Sequence, residues 1–109
     1  MDLRDIPFTT ITWDDVPLEE HGGVTGKALW KVVAQGNVRV RIVEYTPGYL
    51  ADHWCEKGHV VYVLDGEFTS ELKDGRKSHL TKGMCYIVAD HTDPHRSFTT
   101  EGVKVLIVD

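Results

Sequence analysis

The sequence predicts an all-β protein whose strands close into a sandwich or a barrel. Three observations carry that expectation. Short runs rich in Val, Ile, Tyr, Phe and Thr recur at regular spacing, each is bounded by Gly, Pro, Asp or Asn, and no stretch keeps a helical period behind a cap. Eight or nine such runs fit in 109 residues, a length that supports one modest core.

Residues 9–13 alternate weakly and read as a first strand. Residues 14–26 carry Pro17 and three glycines and read as a turn-rich connection, with one helical turn at most over Pro17-Leu18-Glu19-Glu20. Strands follow at residues 27–33, 37–45, 60–64 and 67–72, then at 76–80, 84–88, 96–99 and 103–108. Asp74-Gly75 between alternating segments is the strongest hairpin signal, because both central residues of a type I′ turn need positive φ. Asp65-Gly66, Lys82-Gly83 and Glu101-Gly102 punctuate in the same way, and Gly36-Asn37 closes another turn. The expected division is one domain over residues 1–109, with residues 1–26 as N-terminal strand and connection and residues 27–109 as the barrel.

Composition narrows the function classes. A net charge of -5, with Lys and Arg scattered, argues against a nucleic-acid surface. No apolar stretch reaches membrane-spanning length, and Met1-Asp2-Leu3-Arg4-Asp5 lacks a signal core, so a cytoplasmic protein is expected. Two cysteines in that setting are expected as free thiols, not as a Cys55–Cys85 bridge.

Chemistry concentrates between Gly48 and Gly66. In an extended strand alternate residues share a face, so His53 and Cys55 are expected to point one way while Asp52 and Trp54 point the other. Glu56-Lys57-Gly58 then turns the chain, and His59 heads the next strand. His95, after Asp93-Pro94, is a fourth candidate. Imidazoles and a thiol converging on one point are metal donors, since metal–nitrogen and metal–sulfur bonds are only about 2.0–2.3 Å long.

The run Gly48, His53, Cys55, His59, Gly66 resembles the first motif of the cupin superfamily, in which His, His and Glu stand where this chain has His53, Cys55 and His59. The leading glycine sits one residue nearer the first His than is usual. The second cupin motif is met with relaxed identities: Gly83, then Asp90 and Thr92 in the Pro and Gly places, then His95, with His91 as an alternative imidazole. The chain is similar, more narrowly, to small single-domain cupins named for an Asp-His-Cys-Trp tetrad, although the order here is Asp52-His53-Trp54-Cys55. The resemblance implies a double-stranded β-helix, the jelly-roll cupin barrel of RmlC-like type, and a metal held by His53, Cys55, His59 and His95.

Departures from the motif soften the donor set. Three imidazoles and a thiolate favour a divalent transition metal, Zn, Fe, Ni or Cu, over Mg or Ca. If all four bind, the site is closed, as structural zinc sites are. If Cys55 stays off the metal, three histidines leave positions open, as in the three-histidine iron cupins such as thiol dioxygenases. The expected function is a metal-binding cupin whose pocket takes a small polar or anionic molecule, with metal-dependent oxidative chemistry. The alternative is a non-catalytic binding or sensor module with a structural metal. A metal-free, isomerase-like cupin ranks last, for want of a His, carboxylate and Tyr combination.

Other residues have plainer readings. Arg39 and Arg41 alternate with Val38, Val40 and Ile42, which fits a solvated face or an inward Arg awaiting a carboxylate. Tyr62 lies off the His59 parity and should face outward with Trp54, while Val61 and Val63 should form an inner wall. Cys85 should face the core or a partner, and His21 and His79 the surface. A homodimer is expected, with residues 9–13 exchanged or paired at an edge.

Overall fold

A computed structural model describes residues 2–109. Eight strands follow a 3-10 turn at Trp13–Asp15: β1 Leu18–Gly22, β2 Lys27–Gln35, β3 Val38–Tyr45, β4 His59–Leu72, β5 Lys77–Thr81, β6 Cys85–Val88, β7 His95–Phe98 and β8 Val103–Val108. All pairings are antiparallel. One sheet runs β1-β2-β3-β8-β4, with β6 on the far side of β4; beyond Gly66 the same β4 pairs with β5 and β7. β4 thus belongs to both walls of a jelly-roll barrel, and the all-β expectation holds. No helix among the described residues is long and apolar enough to cross a membrane.

Two of the expected strands, 60–64 and 67–72, are one continuous element. What separates them is a bulge: Val63 faces Val105, but Asp65 faces Lys104, so β4 gains one residue over β8. A one-residue gain swaps the faces. Before the bulge His59, Val61 and Val63 point inward; after it Phe68, Ser70 and Leu72 take the inner side. Gly66 makes the crossing possible, since its φ is 83° and a Cβ there would stand 2.3 Å from the Gly102 carbonyl oxygen.

The core lies between the walls. Val43, Val63, Phe68 and Val105 are completely enclosed, and Ala28, Tyr49, Ala51, Val61, Leu80, Val103 and Ile107 complete it. Burial of each large side chain contributes about 1.5–3 kcal/mol. The parity expected for Val61, Val63 and Tyr62 is observed, with Tyr62 on the outer surface.

The N-terminal region differs from expectation. Residues 9–13 form no strand: Thr9 Oγ1 donates to the Pro7 carbonyl, a local bond that competes with a ladder, and Trp13 enters the 3-10 turn. Where one helical turn was expected, Leu18–Gly22 is a strand on the sheet's edge. Its residues are all exposed, so it carries no apolar alternation to announce it, and Glu19 and Glu20 suit an edge that must not recruit another chain. Of the two courses expected for Cys85, core or partner, the inward one is ruled out: it faces outward opposite Tyr62, and both cysteines are free thiols.

Candidate metal centre

Residues 49–51 run antiparallel to β7: Thr99 N–H donates to the Tyr49 carbonyl and Ala51 N–H to the Ser97 carbonyl, both at 3.0 Å. The chain rejoins β7 at Cys55, whose N–H donates to the His95 carbonyl at 2.7 Å while the His95 N–H returns a bond to the Cys55 carbonyl at 3.0 Å. Between those two contacts Asp52, His53 and Trp54 stand opposite the single residue Arg96. Three residues against one must loop outward, and they do. The His53 ring is three-quarters exposed, with Nδ1 2.7 Å from Asp52 Oδ1. Trp54 lies under the Arg96 guanidinium, whose Cζ is 4.6 Å from the ring centroid.

The straight-strand geometry expected for His53 and Cys55 is therefore absent, and the structure does not bring all four expected donors together. It does assemble three. Cys55 Sγ and one ring nitrogen each from His59 and His95 lie within 4.8 Å of one another. His53 sits at the mouth of the same cavity. His91, the alternative imidazole, is exposed with a φ of 59°.

Local sequence explains the convergence. Cys55 and His95 are a directly hydrogen-bonded antiparallel pair, so their side chains leave the backbone on one face. His59 begins β4 on the inner parity. Gly58 lets the chain enter there, for its N–H donates to Asp90 Oδ1 at 2.6 Å and a Cβ would meet the Asp90 backbone nitrogen at 2.6 Å.

His95 is oriented through its second nitrogen, Nδ1, 2.8 Å from the Asp93 carbonyl oxygen, whereas His59 Nδ1 is buried without a hydrogen bond, 3.5 Å from Asp109 Oδ2. Both Nε2 atoms are turned toward each other, 2.9 Å apart, with the Tyr86 hydroxyl 3.1 Å from that of His59. Asp109 is itself held by Arg39, through Nε at 2.9 Å and Nη2 at 3.1 Å, and by Arg41 Nη2 at 3.0 Å.

Electrostatics follow from this packing. Burial, then the neighbouring His95, push His59 down to about 4, so its imidazole is neutral near pH 7. The His95 ring holds the Cys55 thiol below its ordinary value against the effect of burial. Burial pushes His95 down, but Cys55 and the Asp93 carbonyl outweigh it and raise it. Burial raises Asp109, and the Arg39 and Arg41 guanidiniums more than reverse that. Burial raises the Tyr86 phenol.

These residues fit a transition ion. A neutral imidazole, a second imidazole and an acidified thiol suit such an ion, and His95 has the carbonyl partner that metal-bound histidines use, while Asp109 stands near His59 without a hydrogen bond to it. Two nitrogens on a tetrahedral ion stand about 3.4 Å apart, so the histidine rings need to separate by only about 0.5 Å. Three donors leave at least one coordination position open.

Tyr86 and Asp109 were not assigned from sequence, while Arg41 takes the inward course that was one of its two readings. Tyr86 lies opposite Val61 on the inner parity, so knowledge of the β4–β6 pairing would have found it. Nothing local marks Asp109.

No protein-family model matches the sequence, and no curated protein matches it significantly. Solved structures share its architecture. An RmlC-like cupin from Shewanella frigidimarina aligns with a TM-score of 0.75 at 21% identity, over 94% of this chain and 89% of that one. The polyketide cyclase RemF from Streptomyces resistomycificus aligns with a TM-score of 0.74 at 21% identity, over 94% of this chain and 78% of its own. The FeII form of HppE gives 0.75 at 16% identity, over 98% of this chain but 62% of its own length. At such identities the likeness is one of fold. The chain therefore shares its fold with solved cupin structures, and carries a Cys-His-His group inside the jelly-roll barrel.

Proposed function

We propose that the chain is a metal-binding cupin in which Cys55, His59 and His95 hold a divalent transition ion, Zn, Fe or Ni, and the barrel pocket admits a small polar or anionic molecule beside it. The observation that carries this reading is the convergence of the three donor atoms within 4.8 Å. A transition ion bound there supplies Lewis acidity or redox capacity. His59 and His95 present Nε2, the Asp93 carbonyl holds the His95 tautomer, and the Tyr86 phenol keeps its proton beside His59. Val61 and Phe68 exclude water from one wall of the cavity. Metal-dependent oxidative chemistry is the reaction class proposed, supported by the open coordination position and by the iron(II) protein among the structural neighbours.

Elemental analysis of protein purified without a chelating tag tests the metal. About one equivalent per chain is expected; less than about a tenth, unrestored by soaking, overturns the reading. A second reading, a purely structural ion, draws on the Cys55–His95 backbone bridge, because an ion there would pin residues 49–55 to β7. Cys55→Ser separates the two. Both readings expect weaker metal binding; stability falls with the metal if the ion is structural, whereas with a catalytic ion the fold stays stable and turnover is what is lost.

A homodimer is proposed as well. Residues 9–13 supply no strand for exchange, so the outer face of β4 and β6, where Tyr62, Met84 and Ile87 are exposed, is the surface for a second copy. A monomeric mass by light scattering at micromolar concentration overturns this.

A further inference from the structure

The start of β3 brings two guanidiniums to one carboxylate side chain. Arg39 grips Asp109 with two bonds, while Arg41 makes one, through Nη2 to the shared Oδ2. Arg41 is 6% exposed, and its Nε finds no acceptor among the described residues. The indole Nε1 of Trp30 is likewise buried without an acceptor. The two groups are neighbours, with Arg41 Cζ 4.5 Å from the Trp30 ring centroid. Both line the cavity into which Cys55, His59 and His95 project.

Buried donors without acceptors are rare, and each costs about 1–3 kcal/mol. Two of them, on a guanidinium and the indole it stacks over, suit an anion with a compact planar head. A carboxylate matches, because a guanidinium edge and one further N–H engage its two oxygens. The cavity is about 160 Å³, the share of about five water molecules, which limits the ligand to a few carbon atoms.

We propose that Arg41 Nε and Trp30 Nε1 form a subsite for the carboxylate of a small organic acid, whose remaining atoms extend toward Cys55, His59 and His95. This names the ligand class of the pocket and rests on the pocket reading above. The subsite belongs to β2 and β3, the metal donors to β4, β7 and the segment before β4, so the two can fail separately.

The test is titration of the full chain, with and without its metal, by propanoate, while following the Trp30 indole N–H resonance, assigned by its loss in Trp30→Phe. A saturable downfield shift is expected with propanoate and not with propanamide. Trp30→Phe, followed by calorimetry, is expected to weaken propanoate about tenfold or more while metal content is unchanged. Arg41→Gln is expected to weaken it further, about thirtyfold or more. No saturable shift up to about 50 mM propanoate, weak even for so small a ligand, overturns the proposal. Equal binding of propanamide overturns it too, as does tighter binding of inorganic phosphate, or propanoate affinity untouched by Trp30→Phe. Propanoate binding by a protein that takes up no metal would uphold the subsite and overturn the metal centre alone.

Discussion

β4 and the segment at residues 49–55 deliver side chains to the same barrel interior under different constraints. β4 is hydrogen-bonded on both sides, so every second residue turns inward, and His59 arrives with Val61 and Val63 in a row. The 49–55 segment is bonded to β7 only at its two ends. Between them its backbone is free to loop, which drops His53 to the surface and leaves Cys55 inside. Parity is a property of a paired ladder, not of an extended chain.

The largest test of that contrast lies in the core. Phe68, first on the inner face after the bulge, should cost about 3–5 kcal/mol on replacement by Ala, whereas Tyr62→Ala on the outer face should cost under about 1 kcal/mol in denaturant unfolding. Comparable losses would mean that the bulge does not set the two faces.

Next in size is a pH effect on metal-free protein. His59 is lowered from its ordinary 6.5 to about 4, so between those values the unfolded chain binds a proton that the folded one refuses. Stability should be full above pH 6.5 and fall with acidification to pH 4, by up to about 3 kcal/mol. The raised His95 works in the opposite direction but above pH 6.5, where its contribution is lost as pH rises, and so leaves the 6.5-to-4 window to His59. Urea midpoints across this range, compared with those of His59→Gln, check the sign; a flat wild-type profile would sink it.

A smaller effect is expected for Asp109→Asn. Losing the carboxylate behind His59 should weaken metal retention about tenfold, or about 1.4 kcal/mol, in chelator competition. Smallest of all, His53→Ala should leave stability within about 0.5 kcal/mol and metal content unchanged. Metal loss equal to that of His95→Ala would show the looped segment folding back onto the ion.

The residues legible in sequence are those whose signal is local. Asp74-Gly75 closes the β4–β5 hairpin, with Gly75 at a φ of 100° and its N–H donating to the Leu72 carbonyl at 2.9 Å. Val61 and Val63 announced their face by alternation, and His59 and His95 stood at motif spacing. Less visible was whatever depends on distant pairing. The outward loop at Asp52–Trp54 exists because Cys55 meets His95, 40 positions away along the chain. Asp109 matters only because β8 lies beside β3, and β1, all exposed, has no apolar pattern to read.

One consequence of the Cys55–His95 bridge concerns the denatured chain. Residues 55 and 95 meet across 40 positions of chain, a contact of long sequence separation that forms slowly. Unfolded polypeptide keeps only the local donors His53, Cys55 and His59 to compete for an ion. Most of the free energy the ion contributes therefore goes to the native state, and thermal tolerance should climb with the logarithm of free metal concentration.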